Sequence, residues 1–224
     1  MGVSLEQRAP VSAEPKGAAA RTRRLMVQTA VELMQRGETP SVSAAAEAAG
    51  VSRATAYRYF PSQAALVGAV VDEALGPILN WQSDSDDAAD RIDDLLRASL
   101  PRIVAFESTF KAALKLSLEQ WAQRRAGTLG EGPPFKRGHR VQLLQRAIEP
   151  LRGKLSRTQF SRLAKALSLT YGLEVLVILK DLWGLAPDEI EGVVTWAGRA
   201  LVGAAIAEAG LTPDGKQTKE RRVR

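Results

Sequence analysis

Two arginines, two tyrosines and a threonine fall within the seven residues Arg53 to Tyr59 of "GVSRATAYRYF", directly after Gly50, Val51 and Ser52. Guanidinium groups supply charge to phosphates or a bidentate pair to guanine, and threonine and tyrosine hydroxyls bond phosphate oxygens. Ser52 is a residue type that caps helix N-termini, and the amides of a first helical turn favour an anion. Ser52, Arg53, Thr55, Tyr57, Arg58 and Tyr59 are therefore candidate DNA contacts, with Arg53 the candidate for reading base edges. An alternative is that the tyrosines pack a small core and the arginines form a solvated face. Val51 and Phe60 read as core; for Tyr57 and Tyr59, periodicity leaves both readings open.

A second set of residues lies in the C-terminal half. Glu174 and Asp181 are seven residues apart, on one face of an apolar helical run where unpaired carboxylates are costly. They need partners, either internal (His139, Arg140, Lys180 or Arg199) or a cationic or hydrogen-bonding ligand. Phe106, Phe110, Trp121 and Tyr171 are candidate apolar walls of a pocket between helices, with Arg140, Glu174 and Asp181 as its polar groups. Plain core packing is the competing account of each aromatic. His139 is the single histidine and there is no cysteine, so a zinc site or a histidine-based triad lacks companions. No G-x-S-x-G, P-loop or dinucleotide fingerprint occurs. The expectation is a protein without catalytic residues, metal or cofactor.

The elements that position these residues have helical spacing almost throughout. Met26, Ala30, Leu33 and Met34 share a face of a helix from Ala18 to Arg36, which Gly37 stops. Ser41 or Ser43 caps a second helix that ends at Gly50, and Ser52 caps a third that Pro61 terminates. A fourth is expected from Pro61, at its first position, to Leu75. A polar connection follows to Asp90, then helices from Arg91 to Leu100 and from Ile103 toward Trp121. Residues 127–138 hold four glycines and two prolines, and read as a loop. Helices are expected again over His139 to Leu151, Ser156 to Trp183 and Pro187 to Ala209. The fold class is all-α, with residues 1–19 a disordered leader, 20–75 a three-helix DNA-binding domain, 76–211 a larger helical ligand-binding and dimerisation domain, and 212–224 a basic disordered tail.

The net charge of +6, from 31 Lys plus Arg against 25 Asp plus Glu, suits a polyanionic partner. No apolar run appears long enough for a membrane span, and the first twenty residues lack the apolar region of a signal peptide, so a cytoplasmic protein is expected.

A helix ending at Gly50, a turn and a helix starting at Ser52 form the layout of a helix-turn-helix, whose second helix enters the DNA major groove. The stretch resembles the signature of the TetR/AcrR family of transcriptional regulators, A-G-V-S-x-x-T-x-Y-x-Y/H-F-x-x-K-x-x-L. Ala49, Gly50, Val51, Ser52, Thr55, Tyr57, Tyr59, Phe60 and Leu66 fall on it. The resemblance covers about residues 20 to 70. It implies a homodimer that binds a palindromic double-stranded operator and is released by a small-molecule effector, usually as a repressor. Three positions depart from the family pattern: Ala45 and Ala56 replace larger aliphatic residues, implying looser packing beneath the reading helix, and Gln63 replaces a lysine that contacts phosphate. The last two helices, with Gly192, Gly198 and Gly203 in the second, resemble the family's dimerisation bundle. The alternatives are a small-molecule-binding or enzymatic helical protein with a vestigial DNA domain, and non-specific DNA binding through the basic tail.

Overall fold

The computed structural model describes residues 17–130, 134–135 and 138–211, so the expectations for the leader, the tail and much of the 127–138 loop lie outside the described residues. Ten α-helices, with short 3₁₀ turns and one π-helical turn, account for about three quarters of them, and no β-strand forms among the described residues. Helix α1 (Ala18–Gln35) buries Met26, Val27, Ala30, Leu33 and Met34 along one stripe. Three serines then start three helices in succession. Ser41 accepts from the Ala44 amide at 3.0 Å to begin α2 (Val42–Ala48), and Ser52 accepts from Thr55 at 3.3 Å to begin α3 (Arg53–Tyr59). Ser62 accepts from Ala65 at 3.1 Å to begin α4 (Gln63–Leu75). The start expected at Pro61 is thus displaced by two residues, because Ser62 offers a side-chain acceptor that proline at the first position does not.

Helix α5 (Ala88–Ala105) begins three residues before Arg91, where Asp87 accepts from the amides of both Ala89 and Asp90. It runs through Pro101, well beyond the expected end at Leu100, since the apolar stripe of Ile92, Leu95, Leu96, Leu100 and Ile103 outweighs one missing backbone bond. Helices α6 (Glu107–Ala126), α7 (His139–Ala147) and α8 (Arg157–Leu167) follow. The expected single helix from Ser156 to Trp183 is interrupted. The chain turns at 168–172, where Gly172 has φ +105° and ψ −167°, a conformation closed to residues with a side chain. It resumes as α9 (Leu173–Val175) and widens into a π-helical turn over Leu176–Leu182. Helix α10 (Pro187–Glu208) completes the fold, with the Glu189 carboxylate accepting from the Ala186 amide.

Two hydrophobic clusters result. One joins α1 to α4 with Ala112, Ala113 and Leu116 of α6; the other joins α5 and α7 to α10. Helix α6 therefore belongs in part to the first cluster, while Phe110 and Leu114, on another side of the same helix, pack on the second. The central pair of the second cluster is α5 with α10, which meet where Gly198 faces Ile92 and Leu96. By length and composition α10 is apolar enough to cross a membrane, which corrects the expectation that no segment is. Its apolar character has a local use here, since Ile190, Val194, Val202 and Ile206 are buried in the second cluster.

Three arginines serve as internal clamps. Arg91 donates to the carbonyls of Ser83, Ser85, Arg146 and Ala147, and Arg146 donates to that of Trp81. Arg102 donates to the carbonyls of Glu73 and Ala74, satisfying groups that the end of α4 leaves open, and stacks 4.9 Å over Phe106. Arginine serves such sites because its planar fork reaches several carbonyls at once.

Candidate functional site

Helix α3 stands on α2 through alanines. Ala45 and Ala46 of α2 and Ala56 of α3 are fully buried, with Phe60 closing the cluster below them. Burying Ala56 and Phe60 turns the remaining positions outward: Ser52, Arg53, Ala54, Tyr57 and Arg58 are exposed. Tyr57 is 47 % exposed, and its hydroxyl lies 3.4 Å from that of Ser43 on α2, a long contact that orients the ring. Ser52 donates to the Thr55 hydroxyl at 3.0 Å while capping the helix, so Thr55 is half-buried and already engaged.

Tyr59 is placed differently from its neighbours. Its ring is half-buried against the first cluster, with the Arg58 guanidinium 5.3 Å above it. Gln63 spends its amide on the carbonyls of Thr39 and Pro40, both at 3.1 Å, tying the start of α4 to the chain ahead of α2. One contact is not evident from sequence spacing: Arg23 of α1 sits 5.4 Å over the Phe60 ring, and Arg21 and Arg24 of the same helix are exposed. The sequence clue is only the cluster Arg21, Arg23, Arg24 itself.

Of the seven residues assigned to a ligand pocket, three come together. Tyr171, on the 168–172 turn, is 4 % exposed and donates to the buried Ser99 hydroxyl of α5 at 3.1 Å. Burial pushes the Tyr171 phenol above its ordinary value, against smaller opposing effects of the Ser99 hydrogen bond and the Arg140 charge, so it remains a neutral donor. Arg140 pairs with Glu174 and donates to the Ser168 carbonyl at 3.3 Å. A small cavity of about 10 Å³ lies beside Tyr171 and Ser99, between α5, α10 and the turn.

The other four lie elsewhere. Phe106 stacks under Arg102, Phe110 packs on the second cluster, and Trp121 projects outward at 60 % exposure. Asp181 pairs with Lys111 at 2.7 Å on the surface, a partner outside the set expected from sequence. The shared face drawn for Glu174 and Asp181 assumed a continuous α-helix, and the π turn between them changes the register. His139 meets Asp72 of α4 at 2.7 Å, Lys180 pairs with Glu107, and Arg199 pairs with Asp90 and Asp93. Among the described residues, no group of three or more His, Asp or Glu is placed to hold a metal ion.

Residues 27–70 match the family model of bacterial regulatory proteins, tetR family. No curated protein matches the sequence. Among solved structures, a TetR transcriptional regulator from Rhodococcus sp. RHA1 shares the fold, with a TM-score of 0.54 at 22% identity, covering 81% of this chain and 96% of that one.

Proposed function

We propose, for a chain that belongs to the TetR family of DNA-binding transcriptional regulators, that it works in the cytoplasm as a homodimeric repressor whose operator binding is released by a small molecule. The observation that carries the DNA side is the outward face of α3, where Arg53, Tyr57 and Arg58 stand together on a buried alanine floor. Arg53 reads a base edge. Ser52, Thr55, Tyr57, Arg58 and Tyr59 contribute phosphate contacts, Thr55 and Tyr59 less directly because both are half-buried. Gln63, committed to backbone carbonyls, adds no charge there; the exposed Arg21 and Arg24 of α1 supply phosphate contacts instead.

Dimerisation uses the face that α9, the π turn and α10 leave uncovered. Leu182 is 81 % exposed, Trp196 73 % and Trp183 72 %, with Ile178 and Val193 beside them in sequence and also exposed. A Cβ at Gly192 or Gly203 of α10 would meet nothing within 4 Å, so a second helix has room to approach. A second copy of the chain is the occupant consistent with the family, and an isologous two-fold contact places two reading helices about 34–36 Å apart on one side of the duplex. Non-enzymatic action follows from the same family reading.

The test is selection of bound duplexes from a random pool by the full chain at near-physiological salt. A palindrome is expected, with affinity falling steeply as salt rises. Arg53→Ala and Tyr57→Phe should each weaken binding to it, by at least about fivefold for the arginine given ~1–3 kcal/mol for a bidentate base contact. No enrichment, with DNA binding independent of salt, overturns the reading in favour of a helical small-molecule-binding protein.

A further inference from the structure

The turn at 168–172 is held at both ends by one side chain. Arg140 of α7 donates to the Ser168 carbonyl where the turn begins and pairs with Glu174 just after it ends. Between these points its guanidinium lies where a side chain at Gly172 would be: a Cβ there would stand 2.9 Å from Nη2. The backbone inside the turn has only short-range bonds, from the Leu169 amide to Ala166 and from Thr170 to Leu167. A segment with a glycine-only conformation, short-range bonding and a π turn after it is drawn from the less stable end of a fold.

Behind this turn lies the cavity beside Tyr171 and Ser99. Its walls are chiefly aliphatic, with Leu96 and Leu100 from α5, Val194 from α10 and Val175 from α9. No charged side chain lines it. The polar side chains on its wall are those of Thr170, Tyr171 and Ser99; Thr170 already donates to the Leu167 carbonyl at 2.9 Å, while the Tyr171 and Ser99 hydroxyls carry two protons and four lone pairs between them, of which their mutual bond uses one of each. As it stands the space holds about one water molecule.

We propose that this space is a ligand site, opened by displacement of the 168–172 turn, and that it takes a compact, uncharged, mainly hydrocarbon molecule bearing one hydroxyl or carbonyl group. The aliphatic walls supply the burial; moving the turn breaks the Tyr171–Ser99 bond, and the freed hydroxyls of Ser99 on α5 and Tyr171 on the turn satisfy the single polar group. An ion is rejected because the walls offer no countercharge, and Arg140 and Glu174 neutralise each other. Arg140 is the positioning residue that latches the turn. The site's role as effector site rests on the ligand-responsive reading above.

The experiment is calorimetric titration of the full chain with cyclohexanol, cyclohexanone and phenol, and with cyclohexylammonium and cyclohexanecarboxylate as charged counterparts of the same ring. Affinity of each probed chain for duplex DNA is measured alongside. Saturable binding of at least one neutral probe is expected, weakened about tenfold by Tyr171→Phe and abolished by Leu100→Phe, which fills the space. Circular dichroism identifies any variant that fails to fold, and Ser99→Ala then replaces it. Equal binding of the charged rings, binding indifferent to these variants, or binding of no neutral probe overturns the proposal. Neutral probes that bind as expected but leave DNA affinity unchanged uphold the site and overturn ligand-responsive regulation instead.

Discussion

Gly198 of α10 faces Ile92 and Leu96 of α5, and adding one methyl group there sets two effects of known size against each other. A Cβ at this position would lie 2.7 Å from Cγ2 of Ile92 and 3.2 Å from Cδ1 of Leu96. In the middle of a 22-residue helix, alanine is favoured over glycine by about 1 kcal/mol. The first distance is shorter than carbon atoms tolerate, and Ile92 is wholly buried with a branched side chain, so relief requires the helices to part. Overpacking of this kind costs about 1–3 kcal/mol. Gly198→Ala should therefore lose roughly 1 kcal/mol net, a fall in Tm of about 2–4 °C for a chain of this size. Gly203→Ala is the matched control, since nothing lies within 4 Å of a Cβ there. It should gain up to about 1 kcal/mol in a monomer, and less where a second copy covers that face. Urea unfolding followed by circular dichroism, at one fixed protein concentration, measures both. A Gly198→Ala protein as stable as Gly203→Ala would refute the close packing of α5 on α10.

Removing Arg102, which satisfies two carbonyls at the end of α4, should cost about 2 kcal/mol in Arg102→Ala, read as a Tm lowered by about 4–8 °C. Acid should reveal Glu107: burial would raise its carboxyl, but hydrogen bonds from Lys111 and Lys180 prevail and hold it below the usual value of 4.5. A depressed carboxylate stabilises above its unfolded pKa and loses that contribution as pH falls through the folded value. Urea midpoints of wild type and Glu107→Gln should thus differ above about pH 5 and converge as the pH falls below the usual carboxylate range; a constant difference would show that the lysine contacts do not matter. Leu66→Ala, at a fully buried site in the first cluster, should cost about 2–5 kcal/mol and abolish DNA binding together with the near-ultraviolet signal of the tyrosines.

The N-terminal helices were legible because each depends on local chemistry. Ser41 and Ser52 cap, Gly37 and Gly50 take positive φ, and the buried positions of α1 recur at helical spacing. The α3 motif was legible for the same reason, although its division into outward Arg53, Tyr57 and Arg58 and inward Tyr59 was not. That division depends on which side α2 and α1 cover, and neighbours 14 residues away, such as Ser43 for Tyr57, leave no trace in local spacing.

The C-terminal half was less legible. Its apolar run between Leu167 and Leu179 fits a continuous helix by composition, and the break is settled by Gly172 beneath the Arg140 guanidinium. Asp181 found Lys111, 70 residues away, and Trp121 stayed outside the core. By itself the sequence determined the helical class, the capped starts of α2 and α3, and the family motif, all of which arise from interactions within a few residues. The tertiary structure decided which arginines serve as internal clamps, which aromatics face outward and where a cavity remains. Those outcomes depend on packing between helices distant in the chain, where a one-residue rotation exchanges a buried side chain for an exposed one.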